Sequence, residues 1–174
     1  MGVVVYTDGS AKGNPGPGGY GIVLISKDGY RKEVAKGYRL TTNNRMELMG
    51  VVVALEMLKK KPTDVCVFSD SKYVVDAVEK GWVFNWEKKY FKNKKNHDLW
   101  RRFLTIYRQH NVRFVWVKGH NNNLENERCD GLAVAAAEAE KKHAIDYEYE
   151  SSCDRGDELQ LSLIHISEPT RPSS

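Results

Sequence analysis

The hydrophobic pattern opens with the periodicity of strands. Val3-Val4-Val5-Tyr6-Thr7 is a β-branched and aromatic run that predicts a buried strand, and it ends in Asp8-Gly9-Ser10, where a turn must begin. The glycine-rich stretch from Ala11 to Gly21 predicts a tight connection to a second strand, Ile22 to Ile25, and Asp28-Gly29 predicts a hairpin into a third, Tyr30 to Leu40. From Asn43 the period turns helical: Leu48, Val51, Val52, Leu55 and Leu58 share one face, and Lys59-Lys60-Lys61-Pro62 ends the run. Val65 to Phe68 predicts a fourth strand, with a helix opening at Ser69-Asp70-Ser71 and running through Tyr73, Val74, Ala77 and Val78. Asp98 to Arg108 predicts a helix with Leu99, Phe103, Ile106 and Tyr107 inward. Val112 to Val117 is a fifth strand, and Leu124 to Lys142 a last helix packing Leu132, Ala133, Ala136 and Ala137 closely. Strands followed by helices in this order indicate an α/β domain.

Length changes the picture little: 174 residues suit one domain able to build a core without disulfides or zinc. Cys66, Cys129 and Cys153 are odd in number and lack paired metal-ligand spacing, which indicates reduced thiols in a cytoplasmic protein. No signal peptide precedes the first strand and no apolar run reaches the length of a membrane span. Charge is more telling. Residues 1–142 carry 25 Lys and Arg against 16 Asp and Glu, whereas residues 143–174 carry 2 against 7, so a basic body is followed by an acidic tail. The body, residues 1–142, is expected to be the folded domain and the tail to be disordered, with residues 161–171 resembling a translated sequencing adapter and so excluded as a scar.

A basic body with embedded acids points to a polyanion handled through metal ions. Asp8, Glu47, Asp70 and Asp130 each stand at the edge of a well-patterned element. Each has a plainer reading: Asp8 as a turn residue, Glu47 as half of an Asn44–Glu47 capping box, Asp70 as a helix N-cap, Asp130 as a surface helix carboxylate. Their common placement at element ends favours a shared divalent cation, because ligands of α/β sheets bind at the carboxyl ends of parallel strands. Gly16, Gly18 and Gly21 match a dinucleotide fingerprint, but prolines interrupt it and a strand follows, so that reading fails. Between Gly81 and Arg102, Trp82, Phe84, Trp86, Tyr90, Phe91 and Trp100 interleave with Lys88, Lys89, Lys92, Lys94 and Lys95, a composition suited to a nucleic-acid groove. His120 lies in the polar stretch Lys118-Gly119-His120-Asn121-Asn122-Asn123, and becomes a proton carrier only if the acids lie beside it.

Six blocks then carry a resemblance: Tyr6 to Ser10, Gly13 to Gly19, Thr41 to Leu48, Ser69 to Ser71, Trp116 to His120, and Glu125 to Asp130. From Val3 to about Lys142 the chain resembles the bacterial form of type 1 ribonuclease H. The resemblance implies a ribonuclease H-like fold, a five-stranded mixed β-sheet flanked by α-helices, and an endonuclease cutting the RNA strand of RNA/DNA hybrids to 5′-phosphate and 3′-hydroxyl ends. It assigns Asp8, Glu47, Asp70 and Asp130 to two Mg²⁺ ions, with Mn²⁺ as a substitute, and His120 to a proton-moving role. It places Gly9, Ser10, Asn14, Asn43 and Asn44 near the RNA strand, and Thr42, Trp82, Trp86, Lys88, Lys89 and Lys92 near the DNA strand. The stretch from Trp86 to Trp100 looks shorter than in familiar bacterial members, so weaker or more salt-sensitive hybrid affinity is expected. A monomer without an obligate protein partner is the default. The competing classes are a non-catalytic nucleic-acid binding module and a junction-resolvase-like nuclease; the first predicts a missing acid, the second lacks the Thr42 to Glu47 block.

Overall fold

The computed structural model describes residues 2–118 and 123–153. Their centre is a five-stranded sheet in the order β3-β2-β1-β4-β5, built from β1 (Gly2–Ala11), β2 (Gly16–Ser26), β3 (Arg31–Thr41), β4 (Asp64–Ser69) and β5 (Asn111–Trp116). β1, β2 and β3 form an antiparallel meander, whereas β1, β4 and β5 run parallel, as the mixed sheet expected from the sequence requires. Parallel neighbours need crossovers. α1 (Asn43–Glu56) lies between β3 and β4, and α2 (Lys72–Glu79), α3 (Trp82–Lys88) and α4 (His97–Tyr107) lie between β4 and β5; α5 (Leu124–Glu138) follows the last strand.

α1 is buried on nearly every side, Met46, Leu48, Val51, Val52 and Leu55 among them, because the sheet lies on one flank and α4 on another. Its Gly50 brings the helix within van der Waals reach of Thr7 and Tyr20. Behind it Trp100 and Phe103 of α4 are fully buried, edge to face at 5.6 Å, and Phe103 meets Phe114 of β5 at 6.2 Å. Burying one such ring is worth about 1.5–3 kcal/mol.

α5 covers the opposite face, and here the glycine-rich stretch departs from expectation. It is mostly strand, β2 beginning at Gly16 with Lys12 to Pro15 as the turn. A Cβ at Gly21 would stand 2.4 Å from the Cys129 carbonyl oxygen, and Gly19, Gly21 and Gly37 of β3 together form a groove into which α5 sinks. α5 itself stops at Glu138, short of the expected Lys142, and Nε2 of His143 donates to the carbonyls of Ala136 and Ala137 at 3.1 and 2.9 Å. The chain then turns back to the sheet.

The boundary expected at residue 142 is therefore too early. Ala144 bridges to Tyr38, Asp146 is buried, and residues 147–153 are helical. Arg45, 3% exposed, holds this return: its Nε and Nη2 donate to Asp146 at 2.8 and 3.0 Å, while Nη1 and Nη2 reach Asp98 at 2.9 and 2.8 Å. An acidic composition read as solvated chain is here consumed by one buried guanidinium and by Arg39, which grips Glu150 through two bonds of 2.9 and 2.8 Å. The adapter-like segment lies outside the described residues.

Candidate active site

Thr7 pairs with Ser69 at the last position of the parallel β1–β4 ladder, so the next residues, Asp8 within β1 and Asp70 just past β4, stand side by side where the two strands part; Asp8 is thus a strand residue and not the turn residue its sequence suggested. Asp70 is not a helix cap. Ser71 caps α2 by accepting from Val74 N–H at 3.2 Å, which leaves the Asp70 carboxylate uncommitted to the helix. Glu47 comes from the first turn of α1, and the Asn44–Glu47 capping box does not form either. Thr42 is the N-cap, accepting from Arg45 N–H at 3.2 Å, because it stands where the chain is still extended. Glu47 instead accepts from the Gly9 N–H, which also donates to Asp8 at 2.9 Å. Gly9 is where β1 touches α1: an added Cβ would stand 2.4 Å from Glu47 N and 2.5 Å from Met46 C, so no side chain fits without displacing the helix.

These three elements bring one oxygen each of Asp8, Glu47 and Asp70 within 4.8 Å of one another. Asp8 is 6% exposed. Burial, with the charges of Asp70 and Asp130 added, pushes its carboxyl up to about 7, although hydrogen bonds from Glu47 and Gly9 oppose the rise. Burial and the neighbouring Asp8 raise Glu47 well above the usual carboxylate range. Two crowded acids where β1 meets α1 therefore retain a proton near neutrality, a frustrated arrangement that a divalent cation would relieve. The donors are all hard carboxylate oxygens, which suits Mg²⁺, Mn²⁺ or Ca²⁺ better than zinc. Asp130, half-buried on α5, lies outside the 4.8 Å group but near enough for its charge to act on Asp8. His120 lies outside the described residues.

Around the acids, Asn43 accepts from Ala11 N–H at 2.6 Å and Asn14 accepts from Asn43 N–H at 3.1 Å, so both amide oxygens are occupied and their NH₂ groups remain as donors. Asn44 is exposed, and Ser10 is half-buried in the β1–β2 ladder. A cleft of about 500 Å³ opens between Asn14, Thr42 and Asn44 on one side and Lys94, Lys95 and Asn96 on the other, with Glu148 and Ser152 of the C-terminal helical segment along its edge.

The aromatic and basic segment divides in a way its composition concealed. Trp100 and Phe91 are core, and Trp86 packs edge-on against Trp100 at 5.7 Å with Lys94 4.9 Å from its ring centre. Trp82 and Tyr90 are the exposed rings of this segment, and Lys88, Lys89 and Lys92 are exposed. The composition suited to a nucleic-acid groove is thus divided between aromatics that pack inward and cations that face solvent. Tyr90, Phe91, Asn93 and Asn96 all have positive φ, between 54° and 63°, without a glycine among them. Phe91's burial and the bonds of Asn96 to Tyr73 and Arg45, at 3.0 and 3.3 Å, hold this costly backbone.

Sequence reasoning missed Arg45. A charged residue beside Met46, just ahead of the apolar run of α1, is a signal for a buried ion pair, but its partner Asp146 lay in the segment discounted as tail.

The model of the family described as RNase H matches residues 1–138. A ribonuclease H from Desulforamulus reducens is 55% identical over 140 residues, covering 78% of this chain and 87% of its own length. Among solved structures, LC9-RNase H1, described as a type 1 RNase H with the type 2 active-site motif, superposes with a TM-score of 0.71 at 32% identity over 87% of this chain and 80% of its own. LC11-RNase H1 in complex with an RNA/DNA hybrid gives 0.60 at 26% identity, over 78% and 96%.

Proposed function

Because the chain belongs to the ribonuclease H family, we infer that it is a metal-dependent endoribonuclease hydrolysing the RNA strand of RNA/DNA hybrids, with Asp8, Glu47, Asp70 and Asp130 as its metal ligands. The observation that carries this reading is the meeting of three carboxylates from β1, α1 and the end of β4. A module that only binds nucleic acid has no use for two acids held above their normal pKa, and no acid of the set is missing.

Two Mg²⁺ ions, or Mn²⁺ in their place, would lower the pKa of the attacking water and stabilise the departing 3′-oxygen, giving 5′-phosphate and 3′-hydroxyl ends. The chain's own contribution is to hold the ligands. Gly9 N–H bonds both Asp8 and Glu47, so a single peptide fixes their separation, and rigid β1 fixes that peptide. His120 moves a proton at neutral pH and is helpful rather than essential. The outward NH₂ groups of Asn14 and Asn43, with Asn44 and the Gly9–Ser10 backbone, recognise the 2′-hydroxyls that mark the RNA strand. Thr42, Trp82, Trp86, Lys88, Lys89 and Lys92 hold the DNA strand through its phosphates and sugars. The enzyme acts as a cytoplasmic monomer; its three thiols, unpaired with one another, fit a reducing compartment.

Labelled RNA/DNA hybrid, RNA duplex and DNA four-way junction, each with Mg²⁺ and with EDTA, test the reading. Mg²⁺-dependent cutting of the hybrid's RNA strand is expected. Preferential cutting of the junction, or hybrid binding without cutting, would overturn it.

A further inference from the structure

Trp116 ends β5 opposite Ser69 of β4. Its indole crosses to the corner that carries Asp70, where Nε1–H donates to the Asp70 main-chain carbonyl at 3.2 Å. Two further bonds tie the same corner: Val117 N–H to the Ser69 carbonyl at 2.9 Å and Ser71 N–H to Ser69 Oγ at 3.1 Å. The ladder bond continues the sheet and the serine bond is local. Ser71 N–H belongs to the same peptide as the Asp70 carbonyl, so the serine and the indole hold that peptide by its two polar ends, and of these two bonds the indole's is the one that comes from another strand.

The ring is 42% exposed, so filling the core does not explain it. Lys72, in the first turn of α2, places Nζ 4.3 Å from the ring centre and pins the indole from its outer side. The indole has one polar atom, and it is committed to a residue whose carboxylate lies within 4.8 Å of Asp8 and Glu47. We propose that Trp116 is a positioning residue for the metal site, holding the Asp70 carbonyl so that the Asp70 carboxylate is presented to the ions at a fixed angle. This rests on the reading that Asp70 is a ligand. Partners that orient a ligand typically change metal affinity by about 10–100-fold, and a main-chain hold through one bond belongs at the lower end.

The test is calorimetric titration of Mg²⁺ into the protein without nucleic acid, with kcat and KM for the hybrid at limiting and saturating Mg²⁺. Trp116→Phe keeps the ring over Lys72 and removes the N–H. It should weaken Mg²⁺ about tenfold, lower kcat at limiting Mg²⁺, recover most of it at saturation, and leave KM for the hybrid unchanged. Unchanged Mg²⁺ affinity, or a rise in KM alone, would overturn the proposal, the latter making the indole a substrate contact. A wild-type measurement guards against misfolding of the variant. Coupling is reciprocal, so bound Mg²⁺ should slow deuterium exchange at Trp116 Nε1–H by a similar factor, and an unaltered rate also refutes the idea. Asp70→Asn separates the two levels. If it binds Mg²⁺ like the wild type, the ligand assignment itself fails; if it loses Mg²⁺ while Trp116→Phe does not, only the positioning role fails.

Discussion

Replacing Asp8 by Asn should abolish hybrid cleavage and at the same time make the metal-free protein more stable at alkaline pH. The native carboxyl is raised from 3.8 to about 7, chiefly by burial. Between those values the folded state holds more protons than the unfolded chain, so stability falls as pH rises through the window and the loss is complete above it. A rise of about three pH units corresponds to about 4 kcal/mol, an upper figure because Glu47 shares the proton. Asparagine keeps the shape and an oxygen for the Gly9 N–H, so little is lost in exchange. The expected gain is about 2–4 kcal/mol at pH 8 and under about 1 kcal/mol at pH 4. Urea unfolding in EDTA at both pH values measures it, and Mg²⁺ at pH 8 should narrow the difference by stabilising the wild type alone. A variant less stable than wild type at pH 8, or a gain that does not change with pH, would refute the claim that Asp8 is held against its own charge.

Arg45→Ala leaves buried Asp146 and half-buried Asp98 without their cation and should cost about 3–5 kcal/mol in urea unfolding, most of it through Asp146. Gly9→Ala forces a methyl to within 2.4 Å of the α1 backbone. It should destabilise by about 1–3 kcal/mol and, unlike a remote core change, abolish calorimetric Mg²⁺ binding. Replacing Lys88, Lys89 and Lys92 together by Ala should raise KM for the hybrid and lower the slope of log KM against log salt by about 1–3, read from initial rates at several ionic strengths. Unchanged values would return those lysines to an ordinary solvated face.

Much of this was legible in the residues because one local signal decided each element. The β-branched run of β1, the Asp28-Gly29 turn and the 3.6 period of α1 need no tertiary information, and they deliver Asp8 and Glu47 to the same end of the sheet. What resisted was settled by packing. Gly19 and Gly21, which suggest a loop, are strand residues pressed so close to α5 that no side chain would fit. Phe91 looks like Trp82 on paper but is buried, and Trp86 is half-buried, one edge packed on Trp100, since their placement is decided by Trp100 and by a turn of positive φ that no glycine announces. The caps show the same limit: Thr42 and Ser71 each stand close to another plausible cap, and only backbone geometry chooses. The order of residues 143–153 was hidden because an acidic run looks alike whether water or a distant arginine receives it.

Arg45 and Asp146 are 101 positions apart. During translation the arginine leaves the ribosome long before its partner is made, and until then α1 carries a cation at a site that closes only around two carboxylates. The central helix therefore completes its surroundings only after residue 146 has emerged, and a nascent chain arrested before that point has to keep the guanidinium in contact with water.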